Sequence, residues 1–162
     1  MDPAAPPDPD RTIVHAHACG REILIAESFA RVTGGELVRP YGDIAQQMWD
    51  SAAVIVAHGT EPDPVFFYGN RAALDLFEMP AAEFIRLPSR FSAEPLNRQE
   101  RARLLADVSA RNFISNYAGI RIAKSGRRFR IERATVWNLL AVDGSIHGQA
   151  ACFEHWRPLG QD

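Results

Sequence analysis

Three short runs of residues have the types and spacing to recognise a small anion. Tyr117, Gly119 and Arg121 alternate along the chain, as do Arg133, Thr135 and Trp137, and Gln149, Ala151 and Phe153. Alternate residues of a β-strand share a face, so each triplet would present one side of a sheet. A guanidinium offers a rigid donor fork suited to carboxylate or phosphate. Gln, Tyr and Trp beside small Gly and Ala suit a compact, partly aromatic anion. Tyr117, Arg121, Arg133, Trp137, Gln149 and Phe153 are therefore candidate ligand-binding residues, joined by Ser89 and Arg90 from the proline-bounded connector 88–95. The other reading sends Arg121 and Arg133 to solvent or to ion pairs with Glu132 and Glu154. A one-residue slip in a strand exchanges the two readings.

Other constellations carry less. Ser89 and Ser92 lie beside Arg90 and Glu94, but there is no Gly-x-Ser-x-Gly elbow, no phosphate-binding glycine loop and no nearby His to act as base. No catalytic residue is assigned, and Ser89 and Arg90 would equally well lock the connector by bonding to backbone. His15, His17 and Cys19 are metal-type donors, yet on a helix residues 15 and 19 share a face while 17 points away, and zinc sites usually draw on two spaced ligand pairs. No metal site is expected. Arg98, Arg101, Arg103 and Arg111 sit on one helix, but Glu100 and Asp107 interrupt their field and no aromatic residues interleave. Nucleic-acid binding is not expected.

The elements that must position these residues follow from periodicity and turn signals. Residues 1–10, with four prolines and three aspartates, read as a disordered leader. Asp10, and next Asp8, are cap candidates for a helix over 13–32 that Gly20 weakens, a split there being the alternative, and that Gly34-Gly35 ends. A short helix over 43–50 precedes strand 53–57, a turn at 58–64 and strand 65–68, which pair as a hairpin. Asn70 caps a helix over 71–78, a further short helix runs from Pro80 to Arg86, and Asn97 with Glu100 forms a capping box for a long helix to Arg111 that buries Leu104, Leu105 and Val108. Strands at 117–123, 127–139 and 145–156 follow, joined by turns at 124–126 and 143–144. Strands, helices and then three more strands make an α+β domain in which an antiparallel sheet curls over helices.

Composition bounds the function. One chain of 162 residues, 46% hydrophobic and 23% charged, is an ordinary single domain. The acidic, proline-rich start lacks the features of a secretory signal, and no apolar run approaches the ~20 residues needed to cross a bilayer. The chain is expected to be cytoplasmic, without membrane contact. Cys19 and Cys152 are expected to be free thiols that pack as small buried hydrophobes. The net charge of −2 hides an asymmetry: residues 86–133 hold twelve basic and four acidic residues. Chemistry involving an anion belongs on that side.

The order of elements matches a PAS domain, in which a five-stranded sheet cups a small ligand. Phe67-Tyr-Gly-Asn-Arg-Ala-Ala-Leu-Asp-Leu-Phe-Glu78, Leu87-Pro-Ser-Arg-Phe-Ser-Ala-Glu-Pro95, Tyr117-Ala-Gly-Ile-Arg-Ile122, Gly126-Arg-Arg-Phe-Arg-Ile131, Ala134-Thr-Val-Trp-Asn-Leu139 and Gly148-Gln-Ala-Ala-Cys-Phe153 together resemble the MEKHLA family, a PAS-like group, over residues 27–156. The resemblance implies a PAS-like five-stranded antiparallel sheet with short helices on one face and an N-terminal helical extension. The corresponding division is leader 1–10, extension 11–51, PAS-like domain 52–157 and tail 158–162. Plant members carry the domain at the end of homeodomain-leucine-zipper transcription factors, and bacterial members often consist of it alone. No homeodomain, heptad run or literal Met-Glu-Lys-His-Leu-Ala string occurs here.

Alignment with flavin-binding PAS relatives puts Arg121 at an inward ligand contact. Flavin and haem are not expected, because the connector lacks the reactive Cys and the long helix has no His. The resulting expectation is a stand-alone sensory or regulatory module. It would bind an unidentified small organic ligand, an anion by its lining, and signal through protein contact as a homodimer or with a partner protein. The alternatives are a ligand-free interaction scaffold and, further off, a small enzyme.

Overall fold

The computed structural model describes residues 8–93 and 98–160. The cap expected at Asn97, the side chains of Arg98, Arg101 and Leu105, and residues 1–7 of the leader lie outside the described residues. Asp8 rather than Asp10 caps helix α1 (Pro9–Ala18), its carboxylate accepting from the Asp10 amide. Asp10 instead accepts from the Ala81 amide at 3.0 Å and fastens α1 to a later helix. Cys19 and Gly20 both adopt left-handed backbone, with φ of 53° and 84°. The helix pattern over 13–32 is therefore split at the weak point Gly20 into two helices, α1 and α2 (Arg21–Thr33).

The remaining elements are α3 (Ile44–Asp50), β1 (Val54–His58), β2 (Phe66–Gly69), α4 (Arg71–Phe77), α5 (Ala81–Phe84), a 3₁₀ turn (Ser89–Ser92), α6 (Arg98–Arg111), β3 (Phe113–Ile122), β4 (Arg128–Leu140), β5 (Ile146–Phe153) and β6 (His155–Pro158). The strands form one antiparallel sheet in the order β2-β1-β5-β4-β3, with β6 also on β4. The last strand, expected to run unbroken from 145 to 156, is interrupted between the Thr135–Cys152 and Glu132–His155 pairs. The interruption falls where Arg133 of β4 takes φ of 53°.

Two bulges set the facing of the strands. β3 gains a residue near Asn116 (φ 59°) and β4 gains one near Arg133, so the pairing passes from Ile114–Val136 to Tyr117–Ala134 and then to Gly119–Ile131. Each extra residue reverses the alternation beyond it. On β4 the side chains sharing the face of Tyr117 and Gly119 are thus Ile131 below the bulge and Ala134 and Val136 above it.

Helices close both faces. On one, the Trp137 indole N–H donates to the Ile25 carbonyl (3.2 Å), Phe29 meets the Trp137 ring edge-on at 4.9 Å, and the Ser28 hydroxyl donates to the Leu140 carbonyl (3.1 Å). On the other, Phe77 of α4 packs on Phe129, Phe84 of α5 stacks on Phe66 at 4.6 Å, and Leu104 and Val108 of α6 cover Val136. Gly148 (φ 144°) lets β5 pass close to β1, since an added Cβ would overlap the His58 carbonyl oxygen.

Asn70 joins the halves. It is fully buried, and its Oδ1 accepts from the Ile55 and Ala73 amides, both at 3.1 Å. Its Nδ2 donates to the Met48 and Ala53 carbonyls at 2.9 and 2.8 Å. One side chain therefore caps α4, as the sequence indicates, and also fixes the end of α3 and the start of β1. Asn70→Ala removes the side-chain partner of the Ile55 and Ala73 amides and of the Ala53 carbonyl, while the Met48 carbonyl keeps its bond from the Ser51 amide. The loss is expected to cost about 3–5 kcal/mol in urea unfolding. Asn70→Asp should lose stability as pH rises from about 4 to 7, because a carboxylate facing two carbonyls is held protonated in the fold. A change within about 0.5 kcal/mol for either variant would refute this role.

Candidate functional site

The face of the sheet covered by α4 and α6 is not completely filled. A cavity of about 60 Å³ lies between β1, β3, β4 and β5 and is closed by Phe77 of α4, Leu104 of α6 and Ser92 of the 3₁₀ turn. Four of the eight candidate residues line it: Tyr117, Arg121, Gln149 and Phe153. Val56, His58, Phe66, Ile131, Val136 and Ala151 line it as well.

Arg121 is only 9% exposed. One terminal nitrogen donates to the Ile120 carbonyl at 2.9 Å and the other to the Tyr117 hydroxyl at 3.1 Å. Among the described residues, no carboxylate lies within ion-pair distance of it. Glu132, weighed as its partner, bonds Arg157 at 3.1 Å instead. Gly119 makes the Tyr117–Arg121 contact possible, because a Cβ there would stand 2.6 Å from the phenol oxygen and 3.1 Å from a guanidinium nitrogen.

At the other end, a chain of amides orients Gln149. The Asn138 side-chain N–H₂ donates to the Val108 carbonyl (3.1 Å) and to Asn112 Oδ1 (3.2 Å), so its oxygen accepts from Gln149 Nε2 (3.0 Å). Among the described residues, Gln149 Oε1 is left buried without a hydrogen-bond partner. It is an acceptor available to a donor group.

The other four candidates lie elsewhere. Trp137 is fully buried on the opposite face against α2, and Arg133 is exposed at its bulge. The facing that placed them with Tyr117 is corrected by one residue: Val136 and Ala134 hold those positions, as the Val136–Ala151 and Asn138–Gln149 pairs require. Arg90 is a surface residue, paired with Asp63 at 3.0 Å and lying over the Phe91 ring at 4.1 Å. Ser89 is buried, its amide donating to the Pro64 carbonyl (2.8 Å) and its carbonyl accepting from the Ser92 hydroxyl (2.7 Å). These two lock the connector to the β1–β2 loop.

His58 was missed because it reads as the first residue of a turn, whereas β1 extends through it. Ser92 stands in the connector already singled out, and Leu104 in the helical apolar pattern, but neither position signals a cavity.

The remaining polar groups do not converge on a metal. His15 Nδ1 is 2.8 Å from the buried Glu22 carboxylate, and among the described residues no three His, Cys, Asp or Glu side chains are grouped to hold an ion. Near Glu22, burial and that carboxylate hold the Tyr68 hydroxyl well above its ordinary range.

A family profile described as the MEKHLA domain matches residues 21–158, which span α2 through β6. The chain belongs to the MEKHLA family. It is 24% identical over 138 residues to homeobox-leucine zipper protein HOX9 of Oryza sativa subsp. indica, and 25% identical over 148 residues to REVOLUTA of Arabidopsis thaliana. These alignments cover 82% and 88% of this chain but 16% of either plant protein. Among solved structures it is similar to the PAS domain of a protein from Colwellia psychrerythraea (TM-score 0.60, 13% identity, 71% of this chain and 92% of that one). It is also similar to an RNA-binding light-oxygen-voltage receptor (TM-score 0.54, 18% identity, 68% of this chain and 31% of that one). The MEKHLA fold here is that of a PAS domain.

A flavin does not fit this cavity. Its volume is far below the roughly 300–1,000 Å³ of pockets that bury drug-sized ligands, and the nearby connector offers Ser89 and Ser92 but no thiol. Cys152 sits on the sheet face away from the cavity, opposite Ile55 and Thr135. Burial, and then Glu154, push its thiol up to about 12. Cys19, expected to be buried, is exposed because the left-handed turn between α1 and α2 projects it outward. Ellman's reagent at pH 8 should therefore titrate one thiol in the native protein and two in urea. Cys152→Ala should leave the fast reaction unchanged, whereas loss of that reaction would contradict the assignment.

Proposed function

We propose that this chain is a regulatory module that binds a small organic anion in its sheet cavity and passes the result on by protein–protein contact. The observation that carries the reading is Arg121, a nine-tenths-buried guanidinium without a carboxylate partner among the described residues. A buried charge left uncompensated is costly, and a bound anion removes the cost.

The route outward is short. Val136 lines the cavity, and the next residue, Trp137, bonds α2 through the other face of the sheet. A ligand that favours one placement of β4 shifts the population of α2 arrangements. Ile13 and Ile23 remain exposed on the outer side of the helix pair, and we assign the protein contact to that side, whether with a second copy or a separate partner. The plant relatives are named for a homeobox and a leucine zipper; nothing in this proposal draws on those parts.

Mass spectrometry of a denatured extract of the purified protein tests the reading. An organic acid should co-purify at up to one per chain and be absent from Arg121→Gln. A second reading, an interaction scaffold whose cavity is simply imperfect packing, predicts no such molecule. It also predicts that Val136→Phe, which fills the space, changes nothing about partner binding. Ile23→Asp should weaken self-association or partner capture in sedimentation runs, and an unchanged distribution would reassign the contact surface.

A further inference from the structure

The Arg121 end of the cavity narrows the class of anion. A guanidinium has five N–H donors; protein acceptors among the described residues take two of Arg121's. Tyr117 accepts one of these with its oxygen, so its own hydroxyl hydrogen remains to be donated. Two donor groups thus stand side by side, one charged and one neutral, with a hydrogen-bonded spacing maintained by the missing side chain of Gly119. This pair matches the two oxygens of a single carboxylate.

Beyond this pair the walls are mostly apolar, through Ile131, Phe153, Val136 and Ala151, with the Gln149 amide and His58 at the far end. A second negative charge would have to lie among apolar side chains and near the acceptor oxygen of Gln149, and that is strongly unfavourable. The volume sets the length. At about 60 Å³ the cavity is less than half of the roughly 150 Å³ that accommodates a benzene ring. The partly aromatic anion suggested by the sequence is too large, and a tail of a few carbons is not.

We propose that the cavity is a site for a short aliphatic monocarboxylate, about the size of acetate to butyrate. Its carboxylate is held by Arg121 and Tyr117, and its tail lies against Val136 and Phe153. This rests on the small-molecule reading above and restricts its ligand.

The test is calorimetry and thermal unfolding of the full chain with sodium acetate, propionate, butyrate, benzoate and succinate, each against sodium chloride at equal ionic strength. Propionate or butyrate at about ten times its Kd should raise the Tm by a few degrees, while benzoate and succinate should not. Tyr117→Phe should weaken binding roughly five- to tenfold. Arg121→Gln should abolish the shift without lowering the unliganded Tm, because it removes a buried charge that has no carboxylate partner among the described residues.

A shift that chloride reproduces, or that persists in Arg121→Gln, overturns the proposal. Equal stabilisation by neutral butyramide, lost in Val136→Phe, overturns the carboxylate assignment while leaving small-molecule binding intact. No shift with any short acid also overturns it. In that case a larger co-purifying acid would still support the wider reading, and its absence would remove both.

Discussion

The fold depends on the hydrogen bonds of one buried amide. Asn70 has two donor and two acceptor positions and uses all four on main-chain groups from three elements. No other residue type presents two donors and two acceptors on so short a stem. The helix α4, whose Phe77 closes the cavity, therefore cannot shift against β1, whose Val56 and His58 form its wall, without breaking bonds that water cannot replace. The cavity survives in a close-packed interior because its opposite sides are tied together from behind.

The second constraint is the pair of bulges. A regular β3–β4 ladder would hold one alternation throughout, and Ile131 and Val136 could not share a face. One extra residue on each strand restores the register while turning the side chains between them. Arg133 itself is displaced outward, and Trp137 goes to the α2 side, where its N–H finds the Ile25 carbonyl. Without that turn an indole would occupy the space the cavity now has.

Much of the architecture was legible because it depends on local chemistry. Asn70 ahead of an apolar helical run, Gly34 after one, and Asp143-Gly144 between two strands each announce an element end. The residues that line the cavity were legible where alternation is regular, as in Tyr117 with Arg121 and Gln149 with Phe153. They were not legible across the β4 bulge, because Arg133 is an ordinary L-residue at positive φ and nothing about its type announces the turn. Ser89 and Arg90 were suggestive as types, but tertiary contacts with Pro64 and Asp63 assign them to holding the loop.

The sheet is one strand thick between the cavity and α2. Val136 and Trp137 are adjacent on a single backbone, so an occupant on one side and a helix on the other act on the same few bonds. Thermodynamic linkage then makes their influence mutual: whatever factor an occupant imposes on the docking of α2, the docking of α2 imposes on the occupant's affinity. Under the proposed function, a partner that gripped or released this helix would for that reason also regulate the binding of a ligand in the cavity. The apparent affinity of the isolated chain and that of such a complex would then be two different quantities.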